Sequence, residues 1–100
     1  MTTYLVSGFP MGILQGDEVL RFTAISREQA QQTLASGFVS LVRDPMIARI
    51  FSLGLSTWIE PNANYVVFDG HFDLLVLGQI VRITDRQTIR WWLVKRPITI

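Results

Sequence analysis

One hundred residues with a formal net charge of +1, no cysteine and a single histidine exclude a disulfide framework, a thiolate metal centre and a histidine cluster. The nine basic residues are scattered along the chain, which argues against duplex nucleic acid as a partner, and no apolar run reaches the roughly 18–20 residues of a membrane span. Hydrophobic residues make up 49% and charged residues 17%, so apolar a balance for one small domain that part of its surface is expected to meet another subunit.

In chain order, Tyr4 to Ser7 reads as a first strand, and Gly8-Phe9-Pro10-Met11-Gly12 as the loop after it. A second strand covers Glu18 to Ile25, with Val19, Leu20, Phe22 and Ile25 at its apolar positions. Ser26-Arg27-Glu28-Gln29 has the form of a capping box, in which the serine accepts from the amide of Gln29 and the glutamine side chain reaches back to the cap. Ile25 and Ala30 stand at staple positions and Gly37 suits a left-handed stop, which delimits a helix from Arg27 to about Ser36. Phe38 to Val42 reads as a short buried strand. Asp44-Pro45 then starts a second helix, the aspartate capping open amides and the proline preorganised for the first turn; it runs to about Leu55. Met46, Ile47, Ile50, Phe51, Leu53 and Leu55 spread round that helix, so burial on more than one side is expected.

Trp58 to Asn64 is a connection with turn residues Pro61, Asn62 and Asn64. Tyr65 to Phe68, a turn at Asp69 to Phe72, and Asp73 to Thr84 form an expected hairpin; Asp85-Arg86-Gln87 makes a second turn before a last strand from Thr88 to Lys95, and Pro97 marks its end. The order ββαβαβββ predicts a single α+β (α/β) domain: a mixed sheet of five to six strands with two main helices packed on it. Trp91 and Trp92 face opposite sides of the last strand, one for the core and the other for a subunit interface.

The stretch from Gly37 to Ile50 runs a strand into the start of a helix, an arrangement suited to holding a phosphate. Around it stand Tyr4-Leu5 with the loop Ser7 to Pro10, Ile25-Ser26 with Gln29-Ala30 and Leu34, and the block Gly37-Phe38-Val39-Ser40. Ala48, Ser52 and Ile59 follow through the second helix, then Asn62, Asp73 with Val76, and Arg82 near the end of a long strand. In these features, in order over nearly the whole chain, the sequence resembles the ring-nuclease anti-CRISPR proteins of archaeal viruses and phages. The resemblance implies a mixed sheet with helices to one side and a homodimer, with larger assembly left open. It also implies binding of a cyclic oligonucleotide, cyclic tetra-adenylate in that family, at the dimer interface, and its cleavage without a metal or cofactor. With no signal-peptide layout at the N-terminus, the expected compartment is the cytoplasm, for a viral protein that of the host.

In the nuclease branch a Gly-His pair precedes the second helix, and its histidine protonates the leaving 5′-oxygen while the ligand's own 2′-hydroxyl attacks. The same positions here hold Arg43 and Asp44. An aspartate has no proton to give at neutral pH, and a well-placed acid is worth about 10²–10⁴-fold, so the resemblance implies binding without cleavage. His71, in its turn, is a weak substitute. Asp44 also repels a phosphate at about 4 Å by roughly 1–4 kcal/mol, which a bidentate Arg43 offsets.

The remaining expected ligand residues each have a plainer alternative. Arg82 is a phosphate clamp or a solvated strand residue; Ser7, Gly8 and Phe9 floor the pocket through backbone amides or form an ordinary turn; Ser40 bonds the ligand or a neighbouring backbone group. Three functions follow: a dimeric viral protein that sequesters a cyclic oligonucleotide and blunts immunity, an active ring nuclease using His71, or a protein-interaction module without a nucleotide site.

Overall fold

The structure is a computed structural model that describes residues 3–8, 20–61, 72 and 74–95. Those residues form strands β1 (Thr3–Val6), β2 (Arg21–Ile25), β3 (Val39–Ser40), β4 (Leu74–Ile83) and β5 (Arg86–Lys95), with helices α1 (Arg27–Ala35) and α2 (Pro45–Leu55). The sheet order is β2-β5-β4-β1-β3. β1 runs parallel to β3 and β4, while β5 runs antiparallel to β4 and β2. This is the expected mixed five-stranded sheet with two helices, and its radius of gyration of 13.6 Å matches the roughly 13 Å of one compact domain of this length.

Local chemistry accounts for both helices. Ser26 Oγ accepts from the Gln29 amide at 3.1 Å while Gln29 Oε1 accepts from the Ser26 amide at 2.8 Å, which closes the capping box of α1. Gly37, at φ +112°, turns the chain out of the helix and donates to the Leu34 carbonyl. In α2, Pro45 follows the Asp44 cap directly, and Asp44 Oδ1 accepts from the Met46 amide at 2.8 Å. Its far end is held by α1: Gln31 Nε2 donates to the Leu55 carbonyl at 2.6 Å and Arg27 donates to Ser56 Oγ at 3.3 Å. Ser52 Oγ donates to the Ala48 carbonyl and accepts from the Ile59 amide at 2.9 Å, so the chain leaving α2 is pinned back with Ile59 buried.

Pairing across a ladder puts residues on a common face. Leu5, Val76 and Trp91 face the helices and pack with Ala30, Leu34, Ala48, Phe51 and Leu55. Phe51 meets Trp91 edge-on, with ring centroids 5.1 Å apart, directly over Gly78. On the far face Val6, Leu75 and Val94 form a second cluster with Phe72, flanked by Tyr4, Leu20 and Leu77.

Several boundaries differ from expectation. β1 begins at Thr3 and ends at Val6, with Ser7 already in a bend, and β2 starts at Arg21, with Leu20 outside it. α1 stops at Ala35, with Ser36 as its cap residue. β3 is two residues long rather than five, because Ser40 Oγ accepts from the Val42 amide at 3.3 Å and bends the chain toward α2; only the Leu41 amide, donating to the Leu5 carbonyl, extends the ladder. The second turn lies at Thr84-Asp85, so that Ile83 pairs with Arg86 and β5 starts two residues early. Thr84 takes φ 54°, an uncommon conformation for a β-branched residue, imposed by the two-residue connection. Tyr65 to Phe68 and Asp69 to His71 lie outside the described residues. Within β4, Leu75 to Leu77 have β1 on one edge and β5 on the other.

Candidate functional site

A cavity of about 440 Å³ opens at the carboxyl end of β1, lined by Ser7, Gly8, Phe22, Leu77, Gln79 and Trp92. Carboxyl ends of parallel strands are where open α/β sheets place ligands, because the strands stop there and the chain turns away. β1 ends at Val6, paired with Leu77, so Ser7 and Gly8 leave the sheet while β4 continues to Gln79 and beyond. Trp92 pairs with Leu77 and with Ala24, and Phe22 pairs with Val94, which together supply the apolar walls on the far face. The indole Nε1 of Trp92 donates to Gln79 Oε1 at 3.3 Å. That bond orients the amide, leaving its Nε2 hydrogens to meet an acceptor.

Gln79 pairs with Arg90, and Ile83 with Arg86, so the two arginines stand on the far face with Trp92 at alternate positions of one strand. Both are exposed. Strand rise sets Arg90 about 7 Å and Arg86 about 20 Å from Trp92 along β5. Arginines scattered in the sequence thus form a line on the same face as an aromatic cavity.

The residues expected to bind a ligand do not form one cluster. Ser7 and Gly8 line the cavity. Ser40, Arg43 and Asp44 belong to the junction between β3 and α2, where Ser40 Oγ holds the Val42 amide and Asp44 holds Met46. The start of α2 is therefore occupied by its own carboxylate, and Pro45 offers no amide, so the phosphate seat implied by a bare helix terminus is filled from within. Arg82 pairs with Gln87 five residues beyond Leu77, about 17 Å along β4 and on the helix-side face, away from the cavity. Phe9 and His71 lie outside the described residues.

Phe22, Leu77, Gln79, Arg86 and Arg90 were not among the residues the sequence marked for a ligand, Phe22 reading as a strand position and Arg86 as a turn residue. The alternation Arg86-x-x-x-Arg90-x-Trp92 is visible in the sequence once β5 starts at Arg86, but its partner Gln79 depends on register. Of the two rings expected on opposite faces, Trp91 is the core one and Trp92 is half-buried in the cavity wall. Among the described residues no three His, Cys, Asp or Glu side chains cluster as a metal site, and no helix is long and apolar enough to cross a membrane. The sequence matches no protein-family model, and no curated protein matches it.

Proposed function

We propose that this protein binds a cyclic oligonucleotide and holds it without cleaving it, acting as a viral sponge for a host immune second messenger. The observation that carries the reading is the series Trp92, Gln79 and Arg90 on one face beside the cavity at Ser7 and Gly8. An aromatic wall stacks a base whatever its identity, an oriented amide donates to a base edge, and a neighbouring arginine takes the adjoining phosphate. Arg86 lies further along the same line and suits a second phosphate of the same ring. Holding without cleavage fits a junction where Asp44 stands in place of a general acid and is engaged as a helix cap. On this reading each chain supplies a base cavity of its own.

The test is to incubate the protein with a panel of cyclic di-, tri- and tetranucleotides, separate the bound fraction, denature it and weigh the released nucleotide by mass spectrometry. Intact nucleotide is expected. Linear product would restore the ring nuclease, with His71→Ala as the check on its acid. Retention of no member of the panel would leave the protein-interaction module, which the exposed apolar side chains Met46, Leu53 and Trp58 favour.

A further inference from the structure

Two rings and one amide set the chemistry of the cavity on the far face. Phe22 pairs with Val94 and Ala24 with Trp92, so Phe22 and Trp92 are diagonal neighbours on that face, and both line the cavity. Gln79 reaches it from β4, opposite Arg90, and its Oε1 accepts from the Trp92 indole at 3.3 Å. An indole N–H donates and never accepts, so this bond fixes which end of the amide faces the ring: the carbonyl does, and the amino end is left for a ligand. The bond also sets a level. The indole N–H points outward in the plane of its ring, and the carbonyl it holds stays near that plane. A base stacked on the indole lies one ring thickness above, within reach of the amino group as the amide tips and clear of the carbonyl.

We infer, on the reading of this cavity as a base site, that it prefers guanine to adenine, with Gln79 telling the two apart and Trp92 positioning its amide to do so. Along one edge guanine presents two acceptors, O6 and N7, where adenine presents N7 beside an N6 amino donor. A glutamine amide free to turn suits adenine, because its carbonyl takes an N6 hydrogen while its amino group donates to N7. Here the carbonyl is engaged by the indole, so adenine sets one amino group against another, whereas guanine meets the amide with acceptors alone. The neighbouring groups do not restore an adenine site. Ser7, the other polar side chain of the lining, both donates and accepts and serves either base; Arg90, opposite Gln79, only donates. A ligand carrying guanine differs in its base from the cyclic tetra-adenylate that the resemblance implies.

The test titrates the full-length protein with all-guanine and all-adenine oligonucleotides, cyclic and linear, matched in length from di- to tetranucleotide. Hypoxanthine, which keeps O6 and N7, replaces guanine wherever guanine self-associates. At equal length the guanine member is expected to bind more tightly by roughly 5–150-fold, the range of one well-placed base contact. Trp92→Phe keeps a stacking ring and removes the indole N–H, which frees the Gln79 carbonyl. It is expected to erase or invert the preference chiefly by tightening adenine, a gain that a damaged site would not show. Gln79→Leu is expected to level the two bases by weakening guanine, and circular dichroism compares both variants with the parent. Adenine bound by the parent as tightly as guanine or more so, or a guanine preference that both variants leave unchanged, would overturn the inference while leaving the cavity a base site. Retention of no member of either series would overturn the base site itself, and the guanine preference with it.

Discussion

Gly78→Ala places a methyl group where two aromatic rings meet. The added Cβ would lie 2.7 Å from Trp91 Cζ3 and 2.8 Å from Phe51 Cε2, and closer still to Phe51 Cζ. Neither ring has room to yield: Phe51 is fully buried, Trp91 is 4% exposed, and the two are already in edge contact. Overpacking of this kind costs about 1–3 kcal/mol, and a clash with two confined rings belongs at the upper end; removal of strand glycine returns about 0.5–1 kcal/mol. A net loss of roughly 2 kcal/mol lowers the melting temperature of a domain this size by about 8–16 °C. Gly54→Ala is the control. There the new Cβ meets the flexible end of Ile89 at 2.9 Å, and about 1 kcal/mol of helix propensity is gained, so stability is expected to stay within about 1 kcal/mol of the parent. Thermal and urea unfolding followed by circular dichroism compare the two. Phe51→Leu combined with Gly78→Ala is expected to lose less than the sum of its parts, because the smaller side chain vacates the space the methyl needs. An unchanged melting temperature for Gly78→Ala, or strict additivity in the double variant, would refute the packing described over Gly78.

Three other substitutions probe the fold and the candidate site. Ser52→Ala removes the acceptor of the Ile59 amide and is expected to cost about 1–3 kcal/mol in urea unfolding. Thr84→Asn relieves a β-branched residue at φ 54° and is expected to raise stability by about 0.5–1 kcal/mol, read as a higher melting temperature. In equilibrium binding to whichever cyclic nucleotide is retained, Arg90→Ala is expected to weaken affinity by about 1.5–3 kcal/mol, the range of a charge-assisted bond, while Arg82→Ala on the other face leaves it unchanged. The reverse pattern would move the site to the hairpin's helix-side face.

The legible parts of this protein are those whose cause is local. The capping box at Ser26, the Asp44-Pro45 start and the extent of α2 follow from a few adjacent residues, because a cap needs only its own first turn. The alternation of Trp91 and Trp92 likewise foretold that the two rings lie on opposite faces, one in the helix-side core and the other half-buried on the far face, since a strand turns its sides out in turn. The ends of strands were less legible. Ser40 was a candidate ligand residue by type, and nothing in its neighbourhood showed that its hydroxyl would instead hold the Val42 amide and stop β3. Thr84 reads as a strand former, and only the close pairing of β4 with β5 forces it into the turn. The candidate site was the least legible part. Gln79 is thirteen residues from Trp92 in sequence and reaches it across the ladder, whereas Arg82, three residues further along the same strand, falls on the other face by alternation alone. The sequence by itself determined composition class and helix positions, set by interactions within a turn or two, and the order of its elements pointed to a mixed sheet. Strand register and order decided the rest: they gathered Ser7, Phe22, Gln79, Arg90 and Trp92 on one face, set Arg82 on the other, and left Met46 and Leu53 outside the core, since which distant residues meet is a property of the packed chain.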